Sequence, residues 1–106
     1  MVVTMRSNDL VRGTTFDIPF FLLLQQNMHL LLKSGAYPEL EMGGYIHNAI
    51  SAHIYAEHYE LVEDMLAKPF VPAALPVMEA PIITATGEFN RTDQPLYNWI
   101  QQNKQL

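Results

Sequence analysis

The sequence predicts a mainly α protein built on an antiparallel helical hairpin. Three observations lead to this prediction. Residues 17–34 form a largely apolar segment of helical length, interrupted by Gln25, Gln26, Asn27 and His29. Residues 45–67 repeat apolar side chains at helical spacing, and the four prolines between 69 and 81 exclude a regular helix there. A chain of 106 residues is expected to form a single domain.

The N-terminal segment 1–16 precedes the first helix. Its first six residues alternate weakly between apolar and polar and predict a short strand, and the polar residues after them predict a loop. Asp17 is a favourable N-cap, and Pro19 falls in the first turn, where its missing N–H does no harm. Gly35 supplies a C-cap, so the first helix is predicted to span 17–34.

The second helix is predicted over 45–67, which completes the hairpin 17–67. Its core stripe repeats mainly at spacings of four and contains Ile46, Ile50, Ile54, Leu61 and Met65. Lys68 favours the negative end of the helix dipole, and Pro69 stops the helix. The glycine pair at 43–44 argues for this late start, although a start at Pro38 stays open.

The remaining chain is predicted to be an extended arm followed by a short helix. The proline-rich arm covers 69–91 and favours extended or polyproline II backbone. Within it, residues 82–86 are typical of a short strand that pairs with 1–6 in a small two-stranded element. The C-terminal helix is predicted over 92–104, with Pro95 in its first turn.

Self-association is expected because a helical hairpin buries only one stripe of each helix. A two-fold dimer would supply the missing layer and complete a helical bundle, and a higher homo-oligomer is the alternative. Asn27 lies in the apolar arc of the first helix, where it would fix the register of an interface or bond a nearby backbone group. The predicted interface contains Phe20, Phe21, Leu24, Asn27, Met28, Leu31, Phe70, Val71, Leu75 and Trp99.

Composition narrows the classes of partner. The net charge is −5, and the six basic residues are scattered rather than clustered, which argues against nucleic acid as a partner. The longest apolar run is shorter than the ~20 residues that span a bilayer, so no membrane association is expected. The absence of cysteine fits a reducing compartment, and we expect a cytoplasmic protein.

A His-x-x-x-Glu pair offers the main candidate for chemistry. On a helix, His53 and Glu57 would share one face with Glu60 and Asp64, and an imidazole with carboxylates can bind a transition metal ion. Within one chain, His29 from the first helix could join them only if the second helix starts late, and a site across a dimer axis stays open. The alternative is a solvated acidic face, and on that interpretation no cofactor is expected.

These features predict a non-enzymatic, acidic interaction module that associates with itself and with an unknown protein partner. The sequence has no glycine-rich phosphate loop, no G-x-S-x-G and no HExxH, so it does not favour an enzyme. Two alternatives stay open. One is a helical-bundle metal protein that uses the His-x-x-x-Glu pair. The other is a binder of a small apolar ligand between helices.

Overall fold

The computed structural model describes residues 1–72, 74–90 and 94–102. Their helices and strands, in chain order, are β1 (Val2–Asp9), α1 (Thr14–Ser34), β2 (Ile46–His53), a 3-10 turn (Ala56–His58), α2 (Tyr59–Leu66) and α3 (Gln94–Gln102). Backbone contacts divide the chain into two compact units. Unit 1 contains Met1–Phe21 and Gly44–Ala74, and unit 2 contains Leu22–Gly43 and Leu75–Leu106. The first part of α1 therefore belongs to unit 1 and the rest to unit 2.

The sheet of unit 1 is a parallel pair of strands. β1 and β2 run in register from Val2 opposite Ile46 to Asp9 opposite His53. A parallel pair needs a crossover of a dozen or more residues, and the segment that contains α1 provides it. The N-terminal ammonium extends the pairing by donating to the carbonyl of Gly44 at 2.7 Å.

The predicted second helix is wrong, because its first half is β2. A spacing of four residues satisfies the period of a helix approximately and the period of a strand as well, so the isoleucines at 46 and 50 fit both structures. Isoleucine is β-branched and favours a strand when a partner strand is available. Only the second half of the predicted helix is helical, and α2 ends at Leu66.

The all-helical bundle is therefore also wrong, and the described residues form an α/β structure. The predicted partner of the N-terminal strand was 82–86, whereas β1 pairs with β2. Ile83 instead forms an isolated antiparallel bridge with Phe89 across a short turn. This pairing is local because Gly87 adopts a positive φ of 82°, which allows the chain to reverse within a few residues.

The first helix starts three residues earlier than expected, at Thr14. The carbonyl of Gly13 accepts hydrogen bonds from the backbone N–H groups of Phe16 and Asp17 at 3.0 and 2.8 Å. Asp17 is thus a first-turn residue rather than the N-cap. α3 lies within the region predicted to be helical, and the predicted start at residues 92–93 lies outside the described residues.

In unit 2, two neighbouring amides of α1 hold the proline-rich segment. Gln26 donates to the carbonyl of Pro76 at 3.3 Å and accepts from the N–H of Met78 at 2.8 Å. Asn27 does the same at Ile83, donating at 3.1 Å and accepting at 2.9 Å. Each side chain therefore satisfies both a donor and an acceptor of an extended backbone, as a neighbouring strand would.

Burial differs between the units. The buried apolar residues among those described are Met78 and Leu96, which both belong to unit 2. Unit 1 instead buries two polar residues, Asn8 and His58. A buried polar side chain is costly unless it is hydrogen-bonded, so the partners of Asn8 form a candidate site. None of the described helices is long and apolar enough to cross a membrane.

Candidate functional site

A polar cluster lies where β1 leads into α1. Asn8, near the end of β1, is only 3% exposed. Its Nδ2 donates to Oδ2 of Asp17 at 2.8 Å, and its Oδ1 accepts from the hydroxyl of Thr14 at 3.0 Å. Thr14 and Asp17 both belong to the first turn of α1, so the short strand-to-helix turn brings the three side chains together.

The turn itself is held by Asp9 and shaped by Gly13. Oδ1 of Asp9 accepts from the N–H groups of Val11 and Arg12 at 2.9 and 3.3 Å, which forms an Asx-type turn. The bond from Val11 is the main reason that the pKa of Asp9 lies below its ordinary value. At Gly13, a Cβ atom would lie only 2.8 Å from Nδ2 of Asn8, so a glycine allows the close approach.

His47 of β2 and Tyr45, which directly precedes β2, complete the cluster. Nε2 of His47 lies 2.8 Å from Oδ1 of Asn8, and the hydroxyl of Tyr45 lies 2.7 Å from Nδ1 of His47. In the strand register, however, His47 pairs with Val3 and Asn8 pairs with Ala52. Five residues of a straight strand span roughly 16 Å, so a direct hydrogen bond requires the strand pair to bend strongly.

The result is a continuous chain of hydrogen bonds from a tyrosine to a carboxylate. We call the group the Asn8 cluster; it consists of Asn8, Thr14, Asp17, Tyr45 and His47. Burial raises the pKa of Tyr45, and the negative charge of Asp17 raises it further. Oδ1 of Asp17 has no hydrogen-bond partner among the described residues, so this half-buried oxygen can accept an N–H or O–H group from a ligand.

A second group of polar side chains lies on the same two strands. The hydroxyl of Ser7 is 3.5 Å from Nδ1 of His53, and the ring of His53 packs edge-on against Tyr55 with centroids 5.0 Å apart. Arg6, next to Ser7, is exposed and forms no ion pair with any described residue. We call Ser7 and His53 the Ser7–His53 pair; it presents a hydroxyl and an imidazole at a partly exposed site.

Comparison with known proteins identifies the family. Residues 1–104 match the family described as thymidylate synthase. The chain belongs to the thymidylate synthase family. The thymidylate synthase of Oenococcus oeni is 30% identical over 99 residues, which cover 92% of this chain and 28% of that relative. The chain therefore spans about 28% of the length of this curated thymidylate synthase. No solved structure matches the chain.

Membership of the thymidylate synthase family overturns the predicted function. The family is one of enzymes, so the non-enzymatic interaction module is wrong. The two alternatives, a helical-bundle metal protein and a binder of an apolar ligand between helices, depended on the same helical bundle and are not retained. The prediction went wrong because the fold was taken to be a helical hairpin, and the polar residues at the end of β1 were assigned to a loop.

The predicted metal ligands are not brought together by a helix. His53 ends β2, Glu57 lies in the 3-10 turn, and Glu60 lies in α2, so the spacing of four on one helical face does not apply. His29 belongs to unit 2, where its Nε2 bonds the carbonyl of Leu40 at 2.9 Å. Within residues 1–72, 74–90 and 94–102, no three His, Asp or Glu side chains are placed to hold a metal ion.

The predicted interface residues differ in exposure. Asn27 is 6% exposed and bonds the backbone of Ile83, which is the second of the two roles expected for it. The half-buried members are Phe21, Leu24, Leu31 and Leu75. The exposed members are Phe20, Met28, Phe70, Val71 and Trp99. Their contact with another chain stays a prediction.

Sequence reasoning missed the Asn8 cluster. It assigned Asp17 to a helix cap and did not single out Asn8 or Tyr45. One local signal was available, since an Asn-Asp pair followed by a glycine and a helix start is typical of a tight, polar strand-to-helix turn. The contact with His47 had no such signal, because it joins residues 39 apart in the chain.

Proposed function

We propose that this chain forms the nucleotide-binding part of an enzyme of the thymidylate synthase type. The observation that carries the proposal is the buried Asn8, whose amide is satisfied on both sides and holds the Asp17 carboxylate. A buried amide that is hydrogen-bonded at both its nitrogen and its oxygen is held rigidly, and rigid polar groups are what a site needs to recognise a ligand by hydrogen bonds. Family membership supports the same proposal.

The two polar groups of unit 1 suit the chemistry of thymidylate. This nucleotide has a pyrimidine base with an N–H group, a sugar hydroxyl and a phosphate. The open oxygen of Asp17 would accept the N–H of a base, and the Ser7–His53 pair would bind the sugar or the phosphate. Arg6, without an ion pair among the described residues, would supply the positive charge for the phosphate.

Thymidylate synthases use a folate cofactor. The polar contacts described in unit 1 bear on the nucleotide and not on a pterin ring, which needs an apolar cleft. We therefore derive no step through folate from this chain, and the proposal concerns recognition of the nucleotide.

Homo-oligomerisation forms part of the proposal, as thymidylate synthases are typically homodimers. Support comes from the exposed apolar residues of unit 1, among which Phe70 and Val71 are 88% and 80% exposed. Burial of such surface releases ~25 cal/mol per Å², which favours a partner surface. Light scattering of the full-length protein should give twice the mass of one chain, and a monomer at micromolar concentration would contradict a dimer.

Calorimetric titration of the full-length protein with thymidylate tests the nucleotide site. We expect Asp17→Ala to weaken binding about 10-fold or more, because a hydrogen bond to a charged group is worth ~1.5–3 kcal/mol. Asp64→Ala is the matched control. Asp64 is an exposed carboxylate of α2 that forms an ion pair with Lys68, just after the end of that helix. This control should bind thymidylate as the wild type does.

Two results would contradict the proposal. One is a wild-type protein that binds neither thymidylate nor another pyrimidine nucleoside monophosphate. The other is equal affinity in Asp17→Ala and Asp64→Ala, which would place the base elsewhere. Titration with thymidine, which lacks the phosphate, separates the contributions: Arg6→Ala should weaken binding of thymidylate and leave that of thymidine unchanged.

A further inference from the structure

We infer that His47 is a positioning residue for the pyrimidine nucleotide: it fixes the orientation of the Asn8 amide and, through that amide, the Asp17 carboxylate. The inference rests on the proposed function, because it concerns the same site. It goes further by assigning a direction to every hydrogen bond from Tyr45 to Asp17 and by giving Tyr45 and His47 distinct tasks.

The direction of the chain is set from the carboxylate end. An ionised carboxylate only accepts hydrogen bonds, so the group of Asn8 that lies 2.8 Å from Asp17 must be the amide nitrogen. The amide oxygen of Asn8 then points the other way and can only accept. Nε2 of His47 lies 2.8 Å from this oxygen and must carry a hydrogen.

The tautomer of His47 follows from this requirement. A neutral imidazole with a hydrogen on Nε2 has an acceptor at Nδ1. The hydroxyl of Tyr45, 2.7 Å from Nδ1, therefore donates to it. Tyr45 thus selects the tautomer in which His47 can donate to Asn8, and each bond in the chain favours the next.

Thr14 is a weaker restraint on the same amide oxygen. Its hydroxyl lies 3.0 Å from Oδ1 of Asn8 and 3.2 Å from the carbonyl of Asp9, so one hydrogen serves two acceptors. The bond from His47 is shorter and undivided. Without it, the amide oxygen of the buried Asn8 would keep only the divided bond from Thr14, and the amide would be held less firmly against Asp17.

Nitrogen-15 NMR of the imidazole groups tests the geometry without any ligand. At about pH 8, where an ordinary imidazole is neutral, His47 should show a protonated Nε2 and an unprotonated Nδ1. Tyr45→Phe removes the donor and should shift His47 towards a mixture of tautomers. A wild-type His47 with its hydrogen on Nδ1, or no change in Tyr45→Phe, would overturn the inference.

Thymidylate titration of the full-length protein tests the consequence for binding. His47→Leu removes both hydrogen bonds and should weaken binding about 10-fold, which corresponds to the ~1.4 kcal/mol of a strong hydrogen bond. His47→Gln can still donate to Asn8 and accept from Tyr45, so it should recover most of the affinity. A purely space-filling role predicts the opposite order, and equal affinities for the two variants would overturn the inference.

The matched control is His29→Leu, which removes a histidine whose ring bonds the carbonyl of Leu40 in unit 2. It should leave thymidylate affinity unchanged. If His47→Leu does not fold, Tyr45→Phe replaces it and should weaken binding in step with the loss of the Nε2–H tautomer. If the wild type binds no thymidylate, the proposed function fails, and the NMR result alone decides whether His47 orients Asn8.

Discussion

Replacement of Asn8 by alanine should strongly destabilise unit 1. The side chain is 3% exposed and takes part in three hydrogen bonds, to Asp17 at 2.8 Å, to His47 at 2.8 Å and to Thr14 at 3.0 Å. The bond to the carboxylate is worth ~1.5–3 kcal/mol and each neutral bond ~1 kcal/mol. We expect a loss of about 3–5 kcal/mol, part of which comes from partners left without a bond.

Urea unfolding, followed by far-ultraviolet circular dichroism of the full-length protein, measures this loss. With a slope of ~2 kcal/mol per M, a loss of about 4 kcal/mol lowers the unfolding midpoint by about 2 M. Asn48→Ala is the matched control, because Asn48 is an exposed asparagine on β2. Exposed substitutions of this kind change stability by no more than ~0.5 kcal/mol.

A double-mutant cycle tests whether the hydrogen bond between Asn8 and His47 stabilises the fold. Asn8 and His47 are in direct contact, so Asn8→Ala and His47→Leu should couple by ~1 kcal/mol or more. The reasoning fails if Asn8→Ala lowers the free energy of unfolding by less than about 1 kcal/mol, or if the losses from the two substitutions simply add. In either case the hydrogen bonds from Tyr45 to Asp17 do not stabilise the fold, and their rigidity cannot be the basis of ligand recognition.

Three further predictions concern the same turn and its surroundings. Gly13→Ala should cost ~1–3 kcal/mol in urea unfolding, because its Cβ would lie 2.8 Å from Nδ2 of Asn8, whereas Gly43→Ala, with no atom within 4 Å, should change little. Burial raises the pKa of Tyr45, so the stability that Tyr45 contributes is present below about pH 10 and should be lost as the pH rises through the folded-state pKa. Tyr45→Phe should remove this loss of stability at alkaline pH, as measured by unfolding at a series of pH values. A backbone N–H lowers the pKa of Asp9, so the stability that Asp9 contributes is present above about pH 4 and is lost as the pH falls through the lower folded-state pKa. Asp9→Ala should therefore flatten this part of the curve of stability against pH in acid. An unchanged curve would contradict this prediction.

Local pattern was enough to place several elements. The alternation at the N-terminus corresponds to β1, although the strand continues to Asp9, beyond the predicted end. The long apolar segment corresponds to α1, with a start three residues away from the predicted one. Both elements could be predicted because the signals lie within the elements or next to them. These signals are the period of the apolar side chains, a proline in the first turn of the helix and a glycine after its last turn.

β2 could not be distinguished from a helix by the same means. Residues 46–53 carry apolar side chains at a spacing that fits either period, and the deciding factor is the presence of β1 as a hydrogen-bonding partner 44 residues earlier. Secondary structure here was selected by a long-range contact that overrides local preference. The predicted placement of His53 and Glu57 on one helical face depended on the same helix, whereas His53 ends β2 and Glu57 lies in the 3-10 turn.

Local sequence is enough to explain the strand-to-helix turn after β1, since Asp9 and Gly13 act on backbone atoms only a few residues away. The apolar segment also predicted a helix here, although α1 begins three residues before the predicted start. The contact between Asn8 and His47 depends on long-range pairing, because it requires two strands to pair and to bend. Hydrogen bonds between residues distant in the chain produce no periodic pattern in the sequence. In this protein, such a hydrogen bond joins His47 to Asn8 in the candidate site.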